Sequence, residues 1–365
     1  MNRKDIVLIH GTDYKSMAKK VLERGDVAAD IGDRDKKIGL KPNLVTVKDP
    51  AEGATTHREL LAGVIEYLQE QGFENITVME SSWVGDRTGE AFRAAGYDRV
   101  CSRYQVPFVD LKKDSWKEYD AHGMKIKLCD QAASVDYMIN LPVLKGHCQT
   151  TVTCALKNNK GVIPDSEKRR FHTLGLHKPI AHLNTIARND FILVDNICGD
   201  LDFEEGGNPV VMNRILGFKD PVLCDAFVCD TMGYSAKDVP YILLAEQLGV
   251  GSTDLVHAHR IYLNQPQPTE NFHPSAMTRR VQELAAYTAP KDACSACYGS
   301  LIYALDRLNR SARLKDGLPP IAIGQGYQGT TGSIGVGRCT SCFKKSLPGC
   351  PPASADMVRF LAENW

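Results

Sequence analysis

Short apolar runs separated by stretches of helical periodicity recur along most of this chain, and that alternation restricts it to an α/β fold. Ile6–Ile9, Lys37–Lys41, Ile76–Glu80, Pro107–Leu111, Tyr137–Leu141, Phe191–Asp195, Val222–Asp225 and Pro320–Ile323 have the length and character of strands. Helix candidates lie between many of them. The clearest runs from His57 to Gln71, where Leu60, Leu61, Val64, Ile65 and Leu68 recur at helical spacing and Gly72 follows as a stop. Thr55 or Thr56 is placed to cap it, with Glu59 at a capping-box position. A β-α-β-α order predicts a largely parallel sheet core, followed by a smaller α/β unit at the C-terminal end.

The chain has 365 residues, enough for one large domain or two ordinary ones and for a sizeable core without disulfides. The polar, proline-rich stretch from Asn264 to Pro274, NQPQPTENFHP, predicts a boundary between a core of residues 1–265 and a unit of residues 275–365. The 44 basic and 44 acidic residues cancel, which argues against nucleic acid as a partner, since such proteins usually carry a basic excess. The apolar run Ile6–Ile9 is too short for a signal peptide, and no run is long enough to span a bilayer. The expectation is a cytoplasmic protein with no membrane span.

Twelve cysteines are too few for a disulfide scaffold in a chain of this length. Cys101, Cys129, Cys148, Cys154, Cys198, Cys224 and Cys229 are scattered and read as buried small hydrophobes. The other five crowd between residues 294 and 350. In DACSACYGSLIYALDRLNR, Cys294 and Cys297 stand three apart where a helix should begin. They share a face there, beside the positive potential of a helix N-terminus, which suits thiolates. GVGRCTSCFKKSLPGCPP supplies Cys339, Cys342 and Cys350, and a cysteine followed by proline is a recurring end to cluster-binding runs. Two Cys-x-x-Cys pairs also suit zinc. The gap between these pairs, residues 298 to 338, is longer than zinc ribbons use, and zinc leaves the fifth cysteine without a role. The pattern favours an iron–sulfur cluster drawn from these five, with zinc as the alternative and unligated structural thiols third.

CSAC, IGQGY, GRC and GCPP resemble the cluster-bearing fold of the small subunit of nickel–iron hydrogenases and its relative in respiratory NADH dehydrogenase. That resemblance implies a 4Fe–4S cluster at the edge of a flavodoxin-like sheet. It puts Cys350 in the place of the last ligand and Cys294 and Cys297 in that of the opening pair. Because GRC is better matched than TSC, the implied set is Cys294, Cys297, Cys339 and Cys350. Upstream, IGLKPNLV (38–45), TTHRELLAGVIEYL (55–68), NLPVLKGH (140–147) and TCALKNNKGVIPDSEKRRFH (153–172) resemble the family called domain of unknown function 362. Members commonly carry iron–sulfur clusters, so this resemblance implies a fold and a cofactor but no substrate. LKGH followed by ALKNNKGVIP is also similar, more distantly, to lactate racemase, whose core holds a nickel–pincer cofactor; His147 would take the place of one catalytic histidine. The racemase's Asp-x-Thr-Arg motif would fall near Lys41–Asn43 and is absent, and its second His-Arg motif reads SSWVGD here. What this resemblance implies is a related architecture without racemase chemistry.

Lys41, Asn43, Lys145, His147, Lys157, Asn158 and Lys160 fall at or near predicted strand ends, where α/β sheets place ligand sites. Lysines and asparagines there suit an anion such as a carboxylate or phosphate. Taken singly, each lysine reads as surface charge; the family resemblance favours function for the group, with Lys145 and His147 as catalytic candidates and the others as ligand-binding. His57 is a possible ligand or proton donor, although a plain helix start explains it. Asp195 and Asp225 end apolar runs and are secondary candidates. His257 and His259, two apart, would share a face but lack a third ligand. GQGYQG (324–329) matches a dinucleotide-binding pattern by letter, lacks the helix and acidic partner, and reads as a loop supporting the cluster.

Taken together, these readings predict an iron–sulfur redox protein that exchanges electrons with a partner protein or reduces a small anionic ligand. The alternatives are an isomerase or lyase with a structural cluster, and a non-enzymatic carrier of a metal or cluster.

Overall fold

β1 (Asp5–His10) displays how the core is built: Ile6 and Leu8 belong to one apolar cluster, Val7 and Ile9 to another. Successive side chains of a strand point to opposite faces, so both faces of this strand are covered. A strand buried on both sides reads as an unbroken apolar run rather than an alternating one. The computed structural model describes residues 1–265, 281, 283–314 and 317–365. Residues 266–274 of the predicted boundary lie outside the described residues.

The remaining strands follow in chain order. They are β2 (Ile38–Pro42), β3 (Ile76–Glu80), β4 (Phe108–Asp110), β5 (Trp116–Ala121), β6 (Met124–Cys129), β7 (Tyr137–Leu141), β8 (Lys145–His147) and β9 (Thr151–Thr153). β10 (Phe191–Asp200), β11 (Pro209–Phe218), β12 (His259–Tyr262), β13 (Thr288–Pro290), β14 (Ile321–Ile323), β15 (Ile334–Val336) and β16 (Lys345–Leu347) complete them. An eight-stranded sheet runs β12-β1-β11-β10-β7-β2-β3-β4. Its pairs are parallel except those made by β11, which is antiparallel to both β1 and β10. β5 pairs with β6, and β8 with β9, as small antiparallel ribbons.

A separate C-terminal α/β unit holds the parallel sheet β13-β14-β15-β16. Its own apolar cluster is built on the helix Ser295–Arg310 through Leu301, Ile302, Leu305 and Leu308, with Met357 and Leu361 from the last helix. Phe203 of the N-terminal part enters that cluster, its ring edge-on to Tyr303 at 5.9 Å. The α/β class, the largely parallel core and the smaller C-terminal unit are thus as the sequence predicts.

Two local expectations are corrected. Val222–Asp225 is not a strand but part of the helix Pro221–Thr231. Asp220 caps that helix by accepting from the Val222 and Leu223 amides, and Pro221 fills its first turn. A helix buried all round gives an apolar run indistinguishable from a buried strand. The long helix runs Arg58–Glu70 with His57 as its N-cap, and neither Thr55 nor Thr56 caps it. Thr56 Oγ1 instead donates to the Leu141 carbonyl at 2.7 Å and accepts from the Asn43 amide at 2.8 Å, which ties the loop to β7.

Candidate functional site

The carboxyl ends of β2, β3 and β9 open onto a cleft with about 570 Å³ of empty space. Its lining includes Asn43, Glu80, Ser81, Trp83, Lys157, Asn158, Lys160, Lys168, His172 and Glu204, closed on one side by Cys294, Ser295 and Ala296. Four of the seven core residues singled out by sequence therefore share one wall: Asn43, Lys157, Asn158 and Lys160. Lys41, Lys145 and His147 lie behind that wall and support it. None of the three is a surface charge; Lys41 and Lys145 are fully buried. Lys41 Nζ meets Glu80 Oε2 at 2.6 Å and donates to the Pro42 carbonyl at 2.9 Å. Lys145 Nζ donates to the carbonyls of Ala54 (2.6 Å) and Glu204 (2.9 Å) and so fixes the loop that carries Glu204.

Glu204 is the hinge of this arrangement. Lys157 Nζ lies 2.5 Å from its Oε1, and His147 Nε2 lies 2.8 Å from its Oε2, at too oblique an angle for a linear hydrogen bond. His147 Nδ1 accepts from the amides of Gln149 and Thr150, which leaves the proton on Nε2 and the ring neutral. Burial pushes His147 down to about 4, against the pull of Glu204. Burial also pushes the Glu204 carboxyl up, but its neighbours His147 and Lys157 override that and hold it well below the carboxylate range.

The cleft is rich in polar atoms that no group among the described residues satisfies. Trp83 Nε1, Thr153 Oγ1 and His172 Nδ1 are buried without hydrogen-bond partners. Among the described residues Lys160 has neither a hydrogen bond nor an ion pair; burial, and then repulsion from Lys157, pushes it down to about 7. Lys168 donates to the Ser81 and Ser82 carbonyls at 2.9 and 2.6 Å and to Ser81 Oγ at 2.6 Å, and burial brings it to about 8. Lys168, His172, Trp83 and Glu204 were not singled out by sequence. Lys168 and His172 are four apart on the helix Asp165–Thr173, inside a family-like segment, and that spacing was the available signal.

A second cavity, of about 480 Å³, adjoins the first and is lined by Cys294, Cys297, Cys339 and Cys350 together with Arg169, Gln325, Gln328 and Arg338. Cys294 is the N-cap of the helix Ser295–Arg310, which places Cys297 in its first turn. Gly324, Gly337 and Gly349 follow β14, β15 and β16 and line the same cavity. Gly337 has φ +91°, a left-handed position that favours glycine, and a Cβ there would stand in ordinary contact with Cys297 Sγ at 3.8 Å. Gln328, from the GQGYQG loop, donates from Nε2 to Cys339 Sγ at 3.6 Å. Cys342 is exposed and does not line the cavity. Burial and the neighbouring thiols of Cys350 and Cys339 push Cys294 up to about 11, and Cys297 moves the same way. Cys294 lines both cavities.

The secondary candidates have structural partners. His57 donates its amide and Nδ1 to Asp195 Oδ2 at 2.6 and 2.8 Å, and its Nε2 lies 3.8 Å from Cys198 Sγ. Asp225 is buried, accepts from the Ala155 amide at 2.7 Å and from the Tyr241 hydroxyl at 3.2 Å, and so anchors the turn Ala155–Asn158. Its carboxylate also lies within 4.8 Å of the Cys154 and Cys224 sulfurs. His257 and His259 are exposed and pair separately, with Asp254 and Asp5. No helix among the described residues is long and apolar enough to cross a membrane.

Comparison with known proteins adds three findings. The family profile described as "Domain of unknown function (DUF362)" matches residues 38–230. A thylakoid-associated protein of Synechocystis is 25% identical over 233 residues, 61% of this chain and 70% of that protein. A lactate racemase apoprotein from Thermoanaerobacterium thermosaccharolyticum aligns over 60% of this chain and 56% of its own, with 14% identity and a TM-score of 0.41. That likeness spans little more than half of the racemase and is too loose to carry a conclusion.

Proposed function

This chain belongs to the DUF362 family, whose description names no reaction, and we propose that it is an iron–sulfur redox protein acting on a small anionic ligand. The observation that carries this reading is the shared wall: Cys294 lines the four-cysteine cavity on one side and the basic cleft on the other. Cys294, Cys297, Cys339 and Cys350 would hold a 4Fe–4S cluster. The donor set fits such a group. Burial and the neighbouring thiols make Cys294 and Cys297 resist ionisation, and a cationic iron centre would relieve that cost. The helix N-terminus at Cys294 and the Arg169 and Arg338 side chains favour the net negative charge of a thiolate-ligated cluster. A single tetrahedral zinc ion, with Zn–S near 2.3 Å, would need sulfurs about 3.8 Å apart. The tight group of donor atoms among the described residues is Cys154, Cys224 and Asp225, not this set.

When bound, a cluster of this kind supplies one-electron transfer at a potential set by hydrogen bonds to sulfur and by exposure. Gln328 is one such donor. The chain's own residues would do the rest. Lys160 attracts the anion, and at about 7 it can also give up a proton at neutral pH. Lys157 stays committed to Glu204, which keeps that carboxylate from repelling the ligand. Lys145 and His147 hold Glu204 in place and act as positioning residues. The test is an anaerobic dithionite titration of the purified protein. The expected result is a visible absorption band that bleaches and returns on reoxidation. A protein without such a band, or one that dithionite leaves unchanged, would contradict the redox reading.

A further inference from the structure

The unsatisfied atoms and the apolar side chains of the cleft together say more about its ligand than its sign of charge. Its ammonium groups are unequally placed. Lys157 is neutralised by Glu204, and Lys41 behind the wall by Glu80. Lys168 is occupied by two carbonyls, one hydroxyl and Asp165 at 3.6 Å. Lys160 is the lining ammonium with no partner among the described residues. His172 adds no charge, because burial and the nearby lysines keep it neutral. Lys145 behind the wall is held by the Ala54 and Glu204 carbonyls, so among the described lining ammonium groups Lys160 is the one left to meet a ligand's charge, which favours one negative charge over the two of a phosphate monoester.

Around that charge stand donors waiting for oxygen. Trp83 Nε1 can only donate, Thr153 Oγ1 can donate or accept, and His172 offers an unsatisfied ring nitrogen. The first turn of the helix Ser295–Arg310 also faces the cleft through Ser295 and Ala296, and no side chain caps its amides. Against these, Val45, Val84, Ala296 and the body of Trp83 give the cleft an apolar part. A fully hydrated small anion would leave that part facing water.

We propose that the ligand is a monocarboxylic acid with an apolar body: the carboxylate is met by Lys160 and the unsatisfied donors, and the body lies on Val45, Trp83 and Val84. This inference rests on the cleft being the ligand site of the proposed function and is independent of the cluster.

The experiment is isothermal titration of the anaerobically purified protein with acetate, hexanoate, hexan-1-ol and inorganic phosphate, repeated on Lys160→Met, Trp83→Ala and Cys350→Ser. Burying one methylene is worth roughly fourfold in affinity, so the extra methylenes of hexanoate should give at least about a tenfold gain over acetate. Hexanoate should also outbind hexanol and phosphate by about tenfold or more. Lys160→Met should remove most of the hexanoate affinity, and Trp83→Ala should narrow the gap between hexanoate and acetate. Cys350→Ser should retain hexanoate binding, which separates this inference from the cluster assignment. Phosphate binding as tightly as hexanoate, hexanol matching hexanoate, or an unchanged Lys160→Met would overturn it. The last result would mean that Lys160 serves to offset the charge of the Cys294 thiolate.

Discussion

Burial of charge is what organises single residues in this protein, and two of them give direct tests. His57 is opposed by burial, but Asp195 beside it wins and holds the imidazole at about 10 against an ordinary 6.5. A base raised in the fold stabilises it fully below its unfolded value and loses that contribution as pH climbs through the folded one. The His57 contribution is therefore complete at about pH 6, shrinks from there upward, and is gone above about pH 10. Urea unfolding of the wild type and of His57→Gln should differ most at the acid end and converge at the alkaline end; a gap independent of pH would refute the ion pair. Lys157→Ala tests a different cost. It leaves Glu204 buried with its cation gone, and breaking a buried pair from one side typically costs about 3–5 kcal/mol. Lys157→Met combined with Glu204→Gln should recover much of that loss in the same unfolding measurement. A Lys157→Ala protein as stable as the wild type would mean that Glu204 finds its counter-charge elsewhere.

At the scale of elements, the strands of the parallel sheet were legible because both faces are covered and their runs are mainly apolar, as in β1, β7 and the first half of β10. β11 escaped because its first half, Pro209–Asn213, is largely exposed and its middle is broken by Asn213 and Arg214, and it sits antiparallel among parallel neighbours. The short ribbon β8–β9 escaped for another reason: KGH and TVT carry no periodicity, and their position comes from packing on β10 and the Glu204 loop. Gly146 in β8 makes the point. A Cβ there would lie 2.0 Å from the Leu201 carbonyl oxygen, a contact no sequence pattern announces. The cleft was half legible. Asn43, Lys157, Asn158 and Lys160 could be found from strand ends and His172 from its spacing to Lys168 on one helix, while Trp83 and Glu204 come in on loops. In the C-terminal unit, each of the turns after β13, β15 and β16 leads to a lining cysteine, and Cys342 lies off that ring. Cys342→Ser should therefore keep the visible absorption of the anaerobically purified protein, and Cys350→Ser should lose it. The opposite pattern would exchange their roles.

For the whole molecule, what matters is that two α/β units meet along the line where the cleft and the cysteine cavity touch. Gln149 Nε2 donates to the Ala293 carbonyl at 3.0 Å, and Ser295 Oγ donates to Gln149 Oε1 at 2.9 Å. Gly85, at φ +111°, brings the loop after β3 against the Cys350–Pro351 turn; a Cβ there would stand 2.5 Å from the Cys350 carbonyl oxygen. The loop that carries Trp83 and Val84 into the cleft is thus braced on a cysteine turn. That arrangement would suit the proposed cluster passing electrons to a neighbouring ligand, and the central claim of the proposal is compositional. Protein purified without oxygen should contain about four irons and four acid-labile sulfides per chain, because four cysteines complete one cubane. Stoichiometric zinc with no sulfide would contradict the account.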